Sequence, residues 1–180
     1  MRNPAVFLDR DGVLNRAIVR DGIPHPPQSV DEVDIAPGAA EAADALKRAG
    51  FSLIVVTNQP DVARGKQSLE TVESINRHIG HAIGIEHFRV CTHDDRDDCP
   101  CRKPKPGLLL EAARQLGIEL AASYMVGDRW RDIEAGRAAG CRTVWIDWGY
   151  DERGADNFDY KAASFMDASR WILSQPERRK

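Results

Sequence analysis

Asp9 and Asp11 stand one residue apart, directly after the apolar run Val6-Phe7-Leu8 and directly before Gly12. Such a run reads as a buried strand. Asp-Arg-Asp-Gly is then the loop at its carboxyl end, the edge where ligands bind in an open parallel α/β sheet. Asp11-Gly12 also has ordinary β-turn chemistry. A turn does not account for Asp9, a charge placed against the end of a buried strand. More carboxylates follow Tyr124-Met125-Val126-Gly127: Asp128 and, one helical turn on, Asp132. That spacing lets both face one side. The plainer reading makes Asp128 a helix cap and Asp132 a surface charge. If the two strands are neighbours, the carboxylates converge, and like charges at close range force some to protonate. A hard cation that takes few protein oxygens, Mg²⁺, removes that penalty.

Two further sets could do chemistry. Thr57 and Asn58 end the apolar run Phe51–Val56 and offer a hydroxyl and an amide to a phosphate oxygen. Lys103 would add a compact positive charge, of the kind that stabilises a transferring phosphoryl group. Thr-Asn is also a common turn, and Lys103 between Arg102 and Lys105 could be a solvated basic patch. The other set is Cys91-Thr92-His93, five residues, then Cys99-Pro100-Cys101. Three thiols and an imidazole fit a closed tetrahedral structural zinc site. The loop between them carries Asp94, Asp95, Asp97 and Asp98. It is too polar to hold itself by burial, so it needs a staple. Cys141, in Ala-Ala-Gly-Cys-Arg-Thr-Val, reads as a small core residue.

The elements that must position these groups alternate between strand and helix. Strands are expected at Pro4–Leu8, Phe51–Val56, Phe88–Cys91, Tyr124–Val126 and Arg142–Ile146. Helices are expected at Pro37–Ala49, from near Ser68 to about Ile83, Pro106–Leu116 and Trp130–Ala139. Residues 12–36, with Pro24, Pro26 and Pro27, read as an irregular flap. The tail 150–180 holds one amphipathic helix at about 162–173 and a frayed basic end. Strands separated by helices of about this length mean parallel βαβ units. The expected fold is therefore one α/β domain spanning residues 1–180, Rossmann-like and three-layered, with a central, mainly parallel five-stranded sheet. The loops after Leu8, Val56, Cys91 and Val126 then share one edge.

Composition narrows the function classes. A chain of 180 residues buries roughly 70% of the surface exposed on unfolding, so disulfides are not required. A net charge of −3 gives no electrostatic reason to expect nucleic acid or an anionic membrane as partner. No apolar run reaches the length of a membrane span, and Pro4 and Asp9 break up any signal-peptide core. The expected setting is the cytoplasm, where four cysteines are metal ligands or core residues rather than disulfides. Trp130, Trp145, Trp148 and Trp171 could be core or interface, and a monomer is the default.

The order Asp9-Arg10-Asp11-Gly12, Thr57-Asn58-Gln59, Arg102-Lys103-Pro104 and Gly127-Asp128 with Asp132 resembles the four motifs of the haloacid dehalogenase-like (HAD) phosphatases. The cysteine-histidine loop at 91–101 resembles that of a small subfamily without a large cap domain, which contains heptose-bisphosphate and histidinol-phosphate phosphatases. The resemblance implies a Mg²⁺-dependent phosphatase acting on a small phosphate ester, most closely a sugar bisphosphate. Asp9 would be the nucleophile that forms an aspartyl-phosphate. Asp11 would be the general acid and then the base, with its pKa raised by its carboxylate neighbours. Asp9, Asp128 and the backbone carbonyl of Asp11 would hold Mg²⁺, with Asp132 behind them. Thr57, Asn58 and Lys103 would bind the transferred phosphate. Arg102 and Arg129 would contact the rest of the substrate; Arg64, in Ala63-Arg64-Gly65, and Arg20, in the flap, are further candidates. Cys91, His93, Cys99 and Cys101 would hold structural Zn²⁺ and so place Arg102 and Lys103. The chain departs from heptose-bisphosphate members at Ala17-Ile18-Val19-Arg20, where those carry a His-Gly-Tyr-like segment, and at Pro60-Asp61-Val62. Both changes touch the leaving-group side. The rivals are histidinol-phosphate hydrolysis and a catalytically silent, zinc-stabilised phosphate-binding module. The acidic balance argues against a polynucleotide 3′-phosphatase.

Overall fold

The computed structural model describes residues 3–176. Among the described residues, five α-helices and eight strands follow one another in the order β1 (Ala5–Leu8), β2 (Ile18–Arg20), β3 (Ile23–His25), α1 (Ala39–Arg48), β4 (Ser52–Asn58), α2 (Leu69–Ile83), β5 (His87–Cys91), α3 (Gly107–Leu116), β6 (Tyr124–Gly127), α4 (Trp130–Ala139), β7 (Arg142–Ile146), β8 (Tyr160–Ala162) and α5 (Phe165–Ser174). Six strands form one sheet in the order β5-β4-β1-β6-β7-β8, and each adjacent pair is parallel. The sixth strand corrects the expected five. Tyr160-Lys161-Ala162 is three residues long and lies at the sheet edge, too short to leave an apolar run. It takes the start of the expected 162–173 helix, which begins instead at Phe165 behind the Ser164 cap. The basic end at 177–180 lies outside the described residues.

The period-2 alternation of β1 sorts the core into two layers. Val6 and Leu8 pack with Leu53 and Val55 against Leu46 of α1, Ile75 and Ile79 of α2 and Ile172 of α5. Ala5 and Phe7 pack with Ile54 and Val56 on the opposite face, against Leu109 and Ala112 of α3 and Ala135 of α4. A sheet covered on both faces needs continuous apolar strands, which is what β1 and β4 are. Capping ends the helices where expected: the Ser68 hydroxyl accepts from Thr71 N–H at 3.0 Å, and Gly84, Gly117 and Gly140 close α2, α3 and α4. Cys141 lies in the second core layer, where burial pushes its thiol up to about 12.

The flap is less irregular than expected. Residues 18–25 form an antiparallel hairpin, β2 against β3. Its turn is Asp21-Gly22, with φ of 50° and 75°. A two-residue Asp-Gly turn is a standard hairpin signal, and it was present in the sequence. Among the described residues, no helix is long and apolar enough to cross a membrane.

Candidate active site

The order of strand addition reverses at β1: β4 and β5 lie on one side of it and β6, β7 and β8 on the other. The carboxyl ends of β4, β1 and β6 therefore meet at a topological switch point, the usual ligand crevice of such sheets. Asp9 leaves β1 with its N–H still donating to the Val126 carbonyl of β6 at 2.9 Å. Thr57 and Asn58 end β4, and Asp128 follows β6. Carboxylate oxygens of Asp9, Asp128 and Asp132 lie within 4.8 Å of one another, and all three residues are buried.

Lys103 enters this cluster from the loop before α3. It is 2% exposed, so it is not part of a solvated patch. Its ammonium donates to Asp9 Oδ1 at 2.9 Å and to the Val56 carbonyl at 2.7 Å, and pairs with Asp132 Oδ1 at 2.6 Å. Asn58 fixes its backbone: the amide oxygen accepts from Lys103 N–H at 3.1 Å and the amide nitrogen donates to its carbonyl at 3.0 Å. Asn58 thus acts on Lys103 here. The Thr57 hydroxyl accepts from Gln59 at 2.9 Å and keeps its own proton to donate.

One cation does not neutralise three buried carboxylates. Burial lifts Asp9 to about 6, with Lys103 opposing and Asp132 adding to the rise. Asp128 is raised by burial and by Asp9 and Asp132. One oxygen of Asp128, Oδ1, is buried without a hydrogen-bond partner, while Oδ2 accepts from the Tyr150 hydroxyl at 2.8 Å. A buried orphan acceptor among carboxylates fits a hard cation. A Cβ on Gly12 (φ 85°) would lie 1.8 Å from Asp128 Oδ2, so only glycine lets the first loop approach Asp128. Asp128 does not cap α4. The cap position is Arg129, whose N–H donates to Asp132 Oδ2 at 3.0 Å.

Asp11 differs from expectation. Burial would raise its carboxyl, but the Arg10 guanidinium and hydrogen bonds from Arg10, Gln59 and Asn15 outweigh burial and lower it. Arg10 is completely buried, bonds Asp11 at 3.1 and 2.9 Å, and is braced by Asn76 of α2 at 2.9 Å. The carboxylate neighbours invoked from sequence act on Asp9 and Asp128, and the residue between the two aspartates decides Asp11.

The cleft above these groups has a volume of about 290 Å³ and is rimmed by cations. Arg102 bonds Asp95 at 2.7 Å, Arg64 bonds Asp94 at 2.8 and 2.9 Å, and Arg129 bonds Glu152 at 2.8 Å. Arg131, which sequence reading did not single out, also lines the cleft, 3.4 Å from Asp95. Ile23, Pro24 and His25 of the hairpin close one side. Arg20 does not reach the cleft: it is exposed on β2 and absent from the lining. A larger, more open groove of about 760 Å³ between α2 and β5 lacks this carboxylate cluster.

Beside the cleft, Cys91, His93, Cys99 and Cys101 gather their ligand atoms within 4.8 Å. The edges are 3.2 Å (Cys101–Cys91), 3.3 Å (Cys101–Cys99), 3.4 Å (Cys101 to His93 Nδ1) and 3.7 Å (Cys91 to Cys99 and to His93 Nδ1). Zinc–sulfur bonds of ~2.3 Å imply sulfur–sulfur edges of about 3.8 Å, so the donor set fits Zn²⁺ after small adjustments.

A family model for haloacid dehalogenase-like hydrolases matches residues 17–140. The chain belongs to the haloacid dehalogenase-like hydrolase family. Among members of the family, it is 38% identical over 152 residues to the D-glycero-beta-D-manno-heptose-1,7-bisphosphate 7-phosphatase of Escherichia coli K12, covering 78% of this chain and 76% of that one. It is 39% identical over 155 residues to the enzyme of the same name from Vibrio cholerae, covering 79% and 80%. The crystal structure of D,D-heptose 1,7-bisphosphate phosphatase from B. bronchiseptica, complexed with magnesium and phosphate, superposes with a TM-score of 0.79 at 27% identity, covering 96% of this chain and 99% of that chain.

Proposed function

We propose that this haloacid dehalogenase-like hydrolase is a Mg²⁺-dependent phosphomonoesterase that removes the 7-phosphate of a heptose 1,7-bisphosphate. The observation that carries the reading is the convergence of Asp9, Lys103, Asp128 and Asp132 at the switch point, with Asp128 Oδ1 buried and unpartnered. The curated relatives support the sugar bisphosphate.

Asp9, Asp128 and the carbonyl of Asp11 would hold Mg²⁺, with Asp132 behind them; the ion would neutralise charge on Asp9 and on the phosphoryl group. Asp9 attacks phosphorus in line and the sugar alkoxide leaves. Lys103 and the Thr57 hydroxyl take the phosphoryl oxygens, and Asn58 keeps Lys103 in register. Asp11 is suited to the second half-reaction, in which an ionised carboxylate removes a proton from the water that attacks the aspartyl-phosphate. For the first half-reaction it must carry a proton. The substrate supplies one when it binds as a phosphoryl monoanion, whose pKa is about 6. Arg102, Arg129, Arg131 and Arg64 rim the far side of the cleft and suit the second phosphate of a bisphosphate. Zn²⁺ on Cys91, His93, Cys99 and Cys101 would hold the loop that carries Asp94, Asp95, Arg102 and Lys103. The unbridged thiols at 91, 99, 101 and 141 suit a reducing cytoplasm, where the enzyme would act as a monomer in carbohydrate metabolism.

The test is phosphate release from heptose 1,7-bisphosphate, heptose monophosphates and histidinol phosphate, with and without Mg²⁺. Mg²⁺-dependent turnover with the bisphosphate preferred is the expected outcome. Absence of turnover on every ester would refute the enzyme, and a preference for histidinol phosphate would refute the substrate.

A further inference from the structure

The segment after β7 lies beyond every motif of the chain, yet it reaches back over the metal-binding half of the site. Trp148 donates its indole N–H to the Gly12 carbonyl at 2.8 Å. Asp151 N–H donates to the Gly22 carbonyl of the hairpin turn at 2.9 Å. Tyr150 lies between them with its hydroxyl on Asp128 Oδ2 at 2.8 Å. The other Asp128 oxygen is buried and has no partner. The two oxygens of one carboxylate are thus made unlike: one is occupied by the chain itself and the other is buried and free, in a carboxylate with an oxygen within 4.8 Å of oxygens of Asp9 and Asp132.

We propose that Tyr150 is a positioning residue that sets the cation preference of the site by allowing Asp128 to offer one oxygen instead of two. The inference rests on the metal-dependent reading of the site, and it concerns which ion is held. Mg²⁺ demands near-ideal octahedral geometry with single carboxylate oxygens. Ca²⁺ is larger and takes six to eight oxygens, often both of one carboxylate. A hydroxyl held on Oδ2 obstructs the two-oxygen mode and leaves the one-oxygen mode intact. It also restrains the carboxylate against rotation, the usual role of a hydrogen bond behind a metal ligand. Asp9 does not share this arrangement, because its Oδ1 is bonded to Lys103, a cation that the incoming ion must accommodate.

The test is calorimetric titration of the metal-free protein with Mg²⁺ and with Ca²⁺, in the absence of substrate, for the wild type, Tyr150→Phe and Trp148→Phe. The readout is the ratio of the two dissociation constants, which a partly unfolded sample still reports. In Tyr150→Phe the ratio should shift toward Ca²⁺ by about tenfold, the lower end of the effect expected from removing a partner of a metal ligand. Trp148→Phe removes a hydrogen bond of the same loop without touching Asp128 and should keep the wild-type ratio. An unchanged ratio in Tyr150→Phe would overturn the proposal. So would an equal shift in Trp148→Phe, because loop integrity would then set the preference. Tyr150→His, which returns a donor, should move the ratio back toward Mg²⁺; failure to do so counts against the hydroxyl. Binding is read without turnover, so a wild type that binds Mg²⁺ but cleaves no ester would refute the phosphatase reading and leave this inference standing.

Discussion

The carboxylate centre and the cysteine-histidine loop are both clusters of metal-binding side chains, but they are held together in opposite ways. The first is buried at the tips of three neighbouring strands, and its members are separated by long stretches of chain: Lys103 and Asp9 are 94 residues apart and bond at 2.9 Å. The second is a local device. Its four ligand residues fall within 91–101, and its loop is mostly exposed, with only Cys91 fully buried. The strand tips keep their shape because two core layers hold the strands, and Lys103 offsets part of the carboxylate repulsion without any ion. The loop has little apolar surface to bury, so a bound ion would supply what packing does not. Metal should therefore serve function at the strand tips and structure in the loop.

Substitution at the strand tips should break that contrast most sharply. Asp9→Asn removes the proposed nucleophile and should lower turnover by about a thousandfold or more. It also removes a carboxylate that burial disfavours, so the metal-free variant should melt no lower than the wild type. A large loss of melting temperature would show that Asp9 is structural. Lys103→Met should likewise abolish turnover, but it leaves buried carboxylates uncompensated and should cost about 3–5 kcal/mol in urea unfolding.

In the loop the order of effects reverses. Cys99→Ser, or extraction of the wild type by a chelator, should remove about one equivalent of zinc and open the loop while far-UV circular dichroism of the sheet persists. Because Arg102 and Lys103 follow the loop directly, KM for the bisphosphate should rise about tenfold or more. A metal-free protein with unchanged KM would refute the division of labour.

A smaller effect concerns pH. Asp9 is raised from 3.8 to about 6, so the folded, metal-free protein holds a proton that the unfolded chain releases earlier. Stability from this group is fully present below about 3.8 and is lost as pH rises through about 6. Mg²⁺ competes with protons on Asp9 and on Asp128, which burial also raises, so its dissociation constant should grow by about tenfold or more per pH unit as pH falls below about 6. Calorimetry at several pH values, with melts in the absence of metal, checks both signs; a dissociation constant that does not vary with pH would refute the shared site. The smallest effect is expected at Arg20, which is exposed and outside the cleft: Arg20→Ala should change kcat/KM less than twofold.

The same contrast explains how much could be read in advance. Helix α4 and strand β7 match their expected boundaries because Gly140 closes the helix and a short apolar run, Val144-Trp145-Ile146, ends the strand. The Cys₃His set was legible because its spacing is local. The carboxylates were legible as a set, but their individual environments were not. Arg10 sits between two aspartates in every reading of the motif, and nothing in the sequence says that it turns inward to Asn76 and holds Asp11 ionised. Asn58 reads as a phosphate donor until the fold shows its amide bonded to Lys103 on both sides. Tyr150, Glu152 and Arg131 carry no periodic or motif signal; Tyr150 and Glu152 matter because the segment after β7 returns across the site, and Arg131 because the first turn of α4 borders the cleft. The hairpin is a different miss, since Asp21-Gly22 signalled it locally.

By itself, the sequence determined the inventory: the alternation of strands and helices, a carboxylate pair after the first strand, a lysine and amide to accompany it, and a self-contained Cys₃His loop. These follow from short-range rules of period, turn chemistry and ligand spacing. Tertiary structure alone decided the sheet order, the two core layers, which oxygen of Asp128 is left free, and which charged groups face each aspartate. Those depend on contacts between residues far apart in the chain, and burial turns small differences in distance into large differences in charge state.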